Sequence, residues 1–351
     1  MSVTDFNESR VPEQWALEAN RCVEKPVAMK NTRTIRFYEH GEPGDVLRLE
    51  IGPIPAPVAG HIVVRVHACG LNPADWALCR GLSSRELPCG IGLDVSGVVT
   101  AVGEGVTDVA VGNAVFGPAE FRAYPSAGAA DYAALNHWER LPEGLAHVEA
   151  AALPMVVETA ARYVAWSGLK NGQTVLINGG GTMVGFAAVQ MALREGAHVI
   201  ATAGDTFADR LRAMGVLVAS HGEGMVERVR ALINQAPDVI VDAAPVNLKA
   251  GSVGALPDLV KLAGGDPTRV ITIADFEGAA KTGVRMGAEN VKAEGGFKLR
   301  WDALRAYGQL AADGQFSIPV AQTFALEDWR DALEISLAGR ARGKLVLLPG
   351  H

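Results

Sequence analysis

The chain has 351 residues, 49% of them apolar and 20% charged, which is enough for two domains with buried cores and excludes a disordered protein. Its 32 basic and 39 acidic residues give a net charge of −7 with no strongly basic block, which argues against a nucleic-acid or anionic-membrane surface. With no apolar run near the roughly 18 residues of a membrane span, no secretory leader and only four cysteines, we predict a reduced, cytoplasmic globular protein with no membrane contact.

The first part of the chain predicts short strands and turns. Residues 1–30 show no sustained period and are predicted to be an appended extension. The run 61–70 alternates around valines and ends in glycine, which indicates a buried strand entering a loop. Residues 92–106 form a second β segment interrupted by glycines. We therefore expect a β-rich unit to precede the middle of the chain.

From residue 146 the pattern changes to alternating helices and strands. The segments with a helical period are 146–166, 184–196, 301–314 and 326–339. The apolar runs that predict strands are 174–181, 198–204, 238–244, 269–275 and 344–349. Because strand–helix–strand alternation produces a parallel sheet, the sequence predicts an α/β, doubly wound Rossmann fold for this part.

A glycine-rich turn between the strand at Thr174 and the following helix is the sharpest local signal. In a dinucleotide site the first glycine makes the turn, a small residue admits backbone N–H groups to the phosphates, and the last glycine lets helix and strand pack closely. Thr182 stands where the usual spacing has another glycine. The alternative is a plain strand–helix turn. The predicted phosphate site comprises Gly179, Gly180, Gly181, Thr182, Met183, Val184 and Gly185.

The end of the second strand indicates which form of the cofactor is bound. An acid there would bind the ribose 2′-hydroxyl of NADH and repel a 2′-phosphate. This strand ends at Ala203 and Gly204, which leave room for a phosphate that Arg210 or Arg212 can reach. We therefore predict NADPH, with Asp205 as the rival ribose ligand that would favour NADH.

Seven motifs, taken together in order and spacing, make residues 32–350 resemble the medium-chain dehydrogenase/reductase superfamily. They are Asn72-Pro73-Ala74-Asp75, Gly92 to Gly97, Gly103 to Val106, Leu141 to Gly144, Ala150 to Pro154, Gly179 to Gly185 and Gly343 to Val346. The resemblance implies a partly β-barrel (GroES-like) catalytic domain joined to a Rossmann domain. The implied parts are an extension at 1–30, the catalytic domain at 31–156, the Rossmann domain at 157–292 and a return to the catalytic domain at 293–351.

Within that superfamily the chain is similar to the zinc-independent quinone oxidoreductase-like and enoyl reductase-like branch. Zinc prefers thiolate and imidazole ligands. The three positions that hold the metal in zinc alcohol dehydrogenases carry Asn72, Leu93 and Met155 here, and no cysteine follows Cys89. The resemblance therefore implies hydride transfer without a metal.

The resemblance also implies the site residues of the catalytic cleft. Asn72 is expected to orient the nicotinamide or donate to the substrate oxygen, the alternative being a turn asparagine before a proline. Asp75 is expected to form part of the same wall, or to be purely structural. Trp76 is expected to wall an apolar pocket, or to pack in the core. Tyr124, Tyr132 and Tyr163 are unranked proton donors, with solvent as the alternative.

Further positions match cofactor contacts of the family. Thr159 corresponds to a threonine that approaches the cofactor, and His221 to a tyrosine beside the adenosine phosphate, a surface histidine being its alternative. Lys344 is expected to reach cofactor or substrate, or else to be solvated. Glu158 interrupts an Ala-rich helix, where it either holds the nicotinamide ribose or faces water.

The function that these signals favour is an NADPH-dependent, zinc-free reductase of an activated C=C bond (enone, enal or enoyl thioester) or of a quinone. The alternatives are a non-catalytic nucleotide-binding sensor or structural protein of the same fold and, third, a zinc alcohol dehydrogenase. The branch often forms homodimers through edge strands, and residues 269–275 are the predicted edge.

Overall fold

The architecture combines antiparallel sheets from the two ends of the chain with a parallel sheet from its middle. The computed structural model describes residues 31–82, 86–245, 254–296 and 298–350, so the predicted extension at 1–30 lies outside the described residues. In chain order the strands are β1 (Asn31–Phe37), β2 (Arg48–Pro53), β3 (Ile62–Leu71), β4 (Cys89–Gly90), β5 (Asp94–Val102), β6 (Ala114–Pro118), β7 (Tyr132–Leu135), β8 (Glu139–Arg140), β9 (Thr174–Asn178), β10 (His198–Thr202), β11 (Leu217–Ala219), β12 (Val239–Asp242), β13 (Val270–Thr272), β14 (Val320–Ala325) and β15 (Lys344–Leu348).

Short helices connect most of these strands. They are α1 (Pro43–Val46), α2 (Pro73–Cys79), α3 (His147–Ala150), α4 (Pro154–Ser167), α5 (Met183–Arg194), α6 (Asp205–Ala213), α7 (Met225–Arg230), α8 (Leu256–Leu262), α9 (Phe276–Thr282), α10 (Ala288–Ala293), α11 (Ala303–Ala312) and α12 (Trp329–Leu337). Among the described residues no helix has the length and apolar character needed to cross a membrane.

The middle of the chain forms a five-stranded sheet in the order β11-β10-β9-β12-β13, and every pairing in it is parallel. This is the doubly wound order with the first strand at the centre, so the Rossmann prediction is confirmed. Alternate residues of each strand enter different cores. In β9, Val175 and Ile177 pack with helices α4 and α5, whereas Leu176 packs with α7 and α8 on the opposite face.

The larger antiparallel sheet curls on itself through strand β3. One edge of β3 pairs with β5, and the other pairs first with β7 and then, from Cys69 to Leu71, with β15. The strand β15 comes from the C-terminal end of the chain, and β14 extends the sheet beyond it. A smaller sheet of order β2-β1-β4 packs into the same apolar core. This arrangement agrees with the predicted partial barrel.

The return of the chain contributes to both halves of the molecule. Leu304 of α11 is buried with the helices that cover the parallel sheet, whereas Leu333 of α12 and Leu347 of β15 are buried in the antiparallel core. The segment after residue 293 therefore does not pack with one unit alone. The boundaries at 157 and 293 remain predictions.

Strand β13, within the predicted edge 269–275, is the outermost strand of the parallel sheet, and an isolated bridge lies beside it. Within 269–275, strand β13 is flanked by Arg285, whose N–H donates to the Val270 carbonyl and whose carbonyl accepts from the Thr272 N–H, both at 3.0 Å. These backbone groups are thus already paired within the chain. A dimer formed at this side would have to meet the segment around Arg285 rather than a bare β13.

Candidate active site

The turn after β9 can be built only with glycine at its two ends. Gly179 has φ of +80°, and a Cβ there would lie 2.6 Å from the Ala244 nitrogen. A Cβ on Gly185, one turn into α5, would lie 2.2 Å from the Gly179 carbonyl oxygen. The close approach of helix and strand that the sequence predicted is therefore present, and a side chain at either position would separate them.

Thr182 caps the helix that leaves this turn. Its hydroxyl accepts a hydrogen bond from the Gly185 N–H at 3.0 Å. The same hydroxyl lies 2.9 Å from the Gly179 carbonyl and 3.2 Å from the Ala243 carbonyl, to which it donates. Its proton is thus directed into the protein, so the residue that departs from the usual glycine spacing holds the turn together.

Three backbone N–H groups of the turn are left without an acceptor among the described residues: those of Gly181, Met183 and Val184. The N–H groups of Gly179 and Gly180 are already used, since they donate to the Thr202 hydroxyl and carbonyl. The open donors lie at the N-terminus of the 12-residue helix α5, where the helix dipole favours an anion. This cradle fits a pyrophosphate group.

A ladder of polar side chains ties the turn to its neighbouring strands. Thr202, Asn178, Asp242 and Thr272 are the last residues of β10, β9, β12 and β13. Thr202 donates to Asn178 at 2.6 Å, Asn178 donates to Asp242 at 2.8 Å, and Thr272 donates to the other Asp242 oxygen at 2.9 Å. Burial raises the pKa of the Asp242 carboxyl. Sequence reasoning missed this ladder, although polar residues ending apolar strands were its visible signal.

The predicted adenosine end lies after β10. Ala203 is buried, and Gly204 caps α6, whose first residue, Asp205, is exposed. The His221 Nε2 lies 3.5 Å from where a Gly204 side chain would begin, so the loop after β11 does approach this position. Arg210 is an exposed residue of the same helix.

The loop that carries His221 is held by one guanidinium. Arg228 donates to the carbonyls of Ser220, His221, Gly222 and Glu223 at 2.7–3.3 Å. Gly222 has a left-handed φ of +87°, which allows the loop to close around that side chain. The position of His221 beside Gly204 thus depends on an internal contact that the sequence gave no reason to expect.

In the antiparallel unit, Asn72, Asp94 and Lys344 form a buried hydrogen-bonded cluster. The Lys344 ammonium donates to Asn72 Oδ1 at 2.6 Å and to Asp94 Oδ2 at 2.7 Å, and Asn72 Nδ2 donates to Asp94 Oδ2 at 2.9 Å. Lys344 is 3% exposed, so the alternative of a solvated lysine is wrong. Its charge is directed at Asp94 and Asn72.

Asp75 fastens the Asn72 loop to the segment before β5. It is fully buried, and its carboxylate accepts the N–H groups of Asn72 at 2.7 Å, Gly92 at 2.6 Å and Leu93 at 3.2 Å. Burial, opposed by these hydrogen bonds, raises the pKa of Asp75 to about 6. The contacts of Asp75 are therefore those of a structural residue, which was the alternative to a place in the wall of the catalytic cleft.

Trp76 lies in the antiparallel core. It is 2% exposed, and its indole N–H donates to the Ser336 hydroxyl of α12 at 2.8 Å. The predicted pocket wall is thus replaced by the core-packing alternative, because the ring fastens α2 to α12. Of the three predicted catalytic residues, Asn72 is the most exposed, at 9%, whereas Asp75 has no exposed surface.

Glu158 does not face water. It is fully buried, and Arg162 donates to both of its oxygens at 2.6 and 3.0 Å. The Arg300 N–H and the Thr159 hydroxyl also donate to it, at 3.1 and 3.3 Å. Its acceptor positions are used inside the protein, so a ribose contact is not open to it. Thr159, half-buried, retains its oxygen as an acceptor.

The three positions equivalent to zinc ligands supply no metal donor set. Leu93 is an apolar core residue, and Met155 contributes its backbone N–H to Asp94 Oδ1 at 2.8 Å. The Asn72 oxygen already accepts from an ammonium. Across the described part of the chain, no group of three or more His, Cys, Asp or Glu side chains is arranged to hold a metal ion.

Comparison with known proteins gives two family matches. Residues 58–137 match the alcohol dehydrogenase GroES-like domain, and residues 217–347 match the zinc-binding dehydrogenase family. The first therefore covers most of the antiparallel sheet, and the second runs from β11 into β15.

Relatives of known name include quinone oxidoreductases. The rat enzyme is 37% identical over 181 residues, which are 50% of this chain and 54% of that protein, so the chain spans about half the length of this relative. The quinone oxidoreductase of Lama guanicoe is 35% identical over 227 residues, covering 62% of this chain and 67% of that protein. Among solved structures, the quinone oxidoreductase from Coxiella burnetii superposes with a TM-score of 0.74 at 26% identity, covering 91% of this chain and 99% of that one.

Asp75→Asn should lower the free energy of unfolding by about 1–3 kcal/mol at pH 7, because an amide cannot accept all three N–H groups. The folded-state pKa of about 6 lies above the ordinary value of 3.8 for an aspartate. The wild type therefore loses stability as the pH rises through this window, by about 3 kcal/mol for such a shift, whereas the variant does not. Urea unfolding at pH 5 and 7 should show a larger deficit at pH 5. Equal deficits would contradict this, and the exposed Asp108→Asn is the control.

Thr182→Ala and Gly185→Val should separate the helix cap from the cofactor cradle. Loss of the Thr182 cap should lower stability by about 1 kcal/mol and change NADPH affinity by less than about threefold, because the hydroxyl does not face the open N–H groups. Val at 185 should abolish binding, because its Cβ meets the Gly179 carbonyl. Calorimetry with circular dichroism on both variants checks this. Unchanged binding by Gly185→Val would remove this turn as the cofactor site.

Proposed function

Because the chain belongs to the medium-chain dehydrogenase/reductase superfamily, in its quinone oxidoreductase-like branch, we propose that it is an NADPH-dependent, zinc-free reductase. Its acceptor would be an activated C=C bond of an enone, enal or enoyl thioester, or a quinone. The single observation that carries the proposal is the set of three open N–H groups at Gly181, Met183 and Val184.

The choice of NADPH is supported by the residues after β10. Ala203 and Gly204 place no carboxylate at the strand end, and His221 and Arg210 offer nitrogen donors on the neighbouring loop and helix. A 2′-phosphate gains charge-assisted hydrogen bonds from such donors, whereas a ribose hydroxyl gains most from an acid. Asp205, exposed at the start of α6, is the residue that opposes this choice.

The zinc-free reaction is supported by the donor chemistry around Asn72. The polar atoms there bind each other and Lys344, and the two neighbouring ligand positions are apolar or thioether side chains. Without a Lewis acid, oxidation of an alcohol is poorly supported. Reduction of a conjugated acceptor needs only a hydride, hydrogen-bond donors for the developing oxyanion, and a proton. When bound, NADPH would supply that hydride.

The proton need not come from a tyrosine. The Tyr124 hydroxyl donates to the Ala56 carbonyl at 2.9 Å, and Tyr163 is buried among aromatic rings beside Arg162, where burial raises its pKa. Both are poorly suited to give up a proton, so we infer that the proton comes from solvent or from Tyr132, which is half-buried at the start of β7. A homodimer and a cytoplasmic location remain predictions from the sequence.

NADPH should bind about tenfold or more tightly than NADH, since one charge-assisted phosphate contact contributes about 1.5–3 kcal/mol. Calorimetry with both nucleotides measures the ratio. Arg210→Ala should reduce the ratio by weakening NADPH alone, whereas the exposed Arg230→Ala on α7 should leave it unchanged. Equal or reversed affinities in the wild type would reject the prediction and make Asp205 the ribose ligand.

The proposed activity is tested by following NADPH oxidation with a panel of quinones, enals, enones and enoyl thioesters. At least one class should be reduced, and the rate should be insensitive to a chelator, with far less than one zinc per chain by elemental analysis. One zinc per chain and loss of activity on chelation would overturn the metal-free mechanism. Tight NADPH binding without turnover of any class would favour the non-catalytic sensor.

A further inference from the structure

In the buried cluster around Asn72, Asn72 itself is the most exposed residue. Asp75 and Asp94 are fully buried and Lys344 is 3% exposed, whereas Asn72 is 9% exposed. Asn72 is also where α2 begins, with an extended φ and ψ of −129° and 154°. Asn72 is therefore the member of the cluster that a molecule outside the core can reach most readily.

The internal hydrogen bonds of the Asn72 side chain leave one of its N–H groups free to donate to a ligand. Its Oδ1 accepts from the Lys344 ammonium, and one Nδ2 hydrogen goes to Asp94. A side-chain amide nitrogen carries two hydrogens. The second has no acceptor among the described residues. Asn72 can therefore act outward as a donor, and its oxygen is held by a positive charge.

The cluster also fixes the orientation of the amide. The Lys344 ammonium lies beside the amide oxygen and the Asp94 carboxylate beside the amide nitrogen. A flipped amide would place its NH₂ group against the ammonium, so this orientation is the stable one. Asp94 is itself fixed by the Met155 N–H at 2.8 Å. Hydrogen bonds in series polarise one another in a low-dielectric interior, so the ammonium strengthens the outward N–H as a donor.

We propose that Lys344 and Asp94 are positioning residues that act through Asn72, holding its amide so that the second Nδ2 hydrogen is donated to a carbonyl oxygen in the cleft. This rests on the proposed function, and it replaces the predicted direct contact of Lys344 with cofactor or substrate. The carbonyl belongs either to the acceptor substrate or to the nicotinamide carboxamide. Both present the same oxygen chemistry, and binding measurements distinguish them.

The test removes both charges together. Lys344→Met alone leaves Asp94 buried without its cation, which can prevent folding. Lys344→Met/Asp94→Asn removes both charges and retains an acceptor for the Met155 N–H, while it frees the Asn72 amide to turn. Arg36→Met/Glu50→Gln is the matched control, because it removes another ion pair, 3.1 Å long, from the same unit at β1 and β2.

Two quantities are measured on folded variants: the NADPH dissociation constant, and kcat/KM with the acceptor found in the screen. The charge-free double variant should change one of them by about tenfold or more. Weaker NADPH binding identifies the carboxamide as the partner, and lower kcat/KM at unchanged NADPH binding identifies the substrate. Asn72→Ala should change the same quantity, and the triple variant should be no worse than Asn72→Ala, because the effects share one group.

Effects that multiply in the triple variant, or a double variant that behaves like the Arg36/Glu50 control, would overturn the inference while leaving the proposed function in place. A wild-type chain that binds no nicotinamide nucleotide would overturn the proposed function and this inference with it. Thermal unfolding of each variant separates loss of the fold from loss of the contact.

Discussion

The buried ion pair between Lys344 and Asp94 is the contact on which the arrangement of the antiparallel unit depends. A buried pair stabilises a fold only when its remaining donors and acceptors are also satisfied, and loss of one partner costs about 3–5 kcal/mol. Here Asn72 and the Met155 N–H complete the set. Because Lys344 opens β15, the pair requires the C-terminal strand to lie beside β3, and Gly70 of β3 leaves the room: a Cβ there would come 2.9 Å from Lys344 Cε. The return of the chain and the site at Asn72 are thus one constraint.

Two buried aspartates, Asp94 in the antiparallel unit and Asp242 in the parallel sheet, are stabilised differently. Asp94 is neutralised by a full positive charge, whereas Asp242 is surrounded by the neutral donors Asn178 and Thr272, and its pKa is raised by burial. In the first arrangement the Lys344 ammonium also donates a hydrogen bond to the Asn72 side-chain oxygen. The second fixes strand ends, since its donors lead from the Gly179 N–H through Thr202 and Asn178 to the carboxyl. The first network therefore orients the Asn72 amide, and the second holds the glycine turn after β9.

The parts of the molecule that local sequence determines were predictable. The strand–turn–helix from Thr174 to Arg194 was predictable because its apolar run, its glycines and its helical period all lie in one short segment, although Gly179 also packs against Ala244 after β12. The alternation of apolar runs likewise gave the parallel sheet, whereas the bridge from β13 to Arg285 left no periodic signal. Contacts across the chain were not predictable: Lys344 meets Asn72 across 272 positions, and Trp76 meets Ser336 across 260. Whether a lysine or a tryptophan faces solvent or a core is decided by those distant partners, so the sequence left both alternatives open for Trp76 and did not predict the buried contacts of Lys344.

The described contacts also give the two proposed binding places a consistent chemical character. The buried carboxylates Asp75, Asp94 and Glu158 have their oxygens occupied by internal donors. The donors left without an internal acceptor are three N–H groups at the turn before α5 and one on Asn72. Open donors beside carboxylates whose oxygens are already used favour ligands rich in acceptor oxygen. Phosphate oxygens would accept from the N–H groups of the turn, and a carbonyl oxygen that gains negative charge would accept from Asn72. The set of open donors, more than any single residue, therefore supports a reductase.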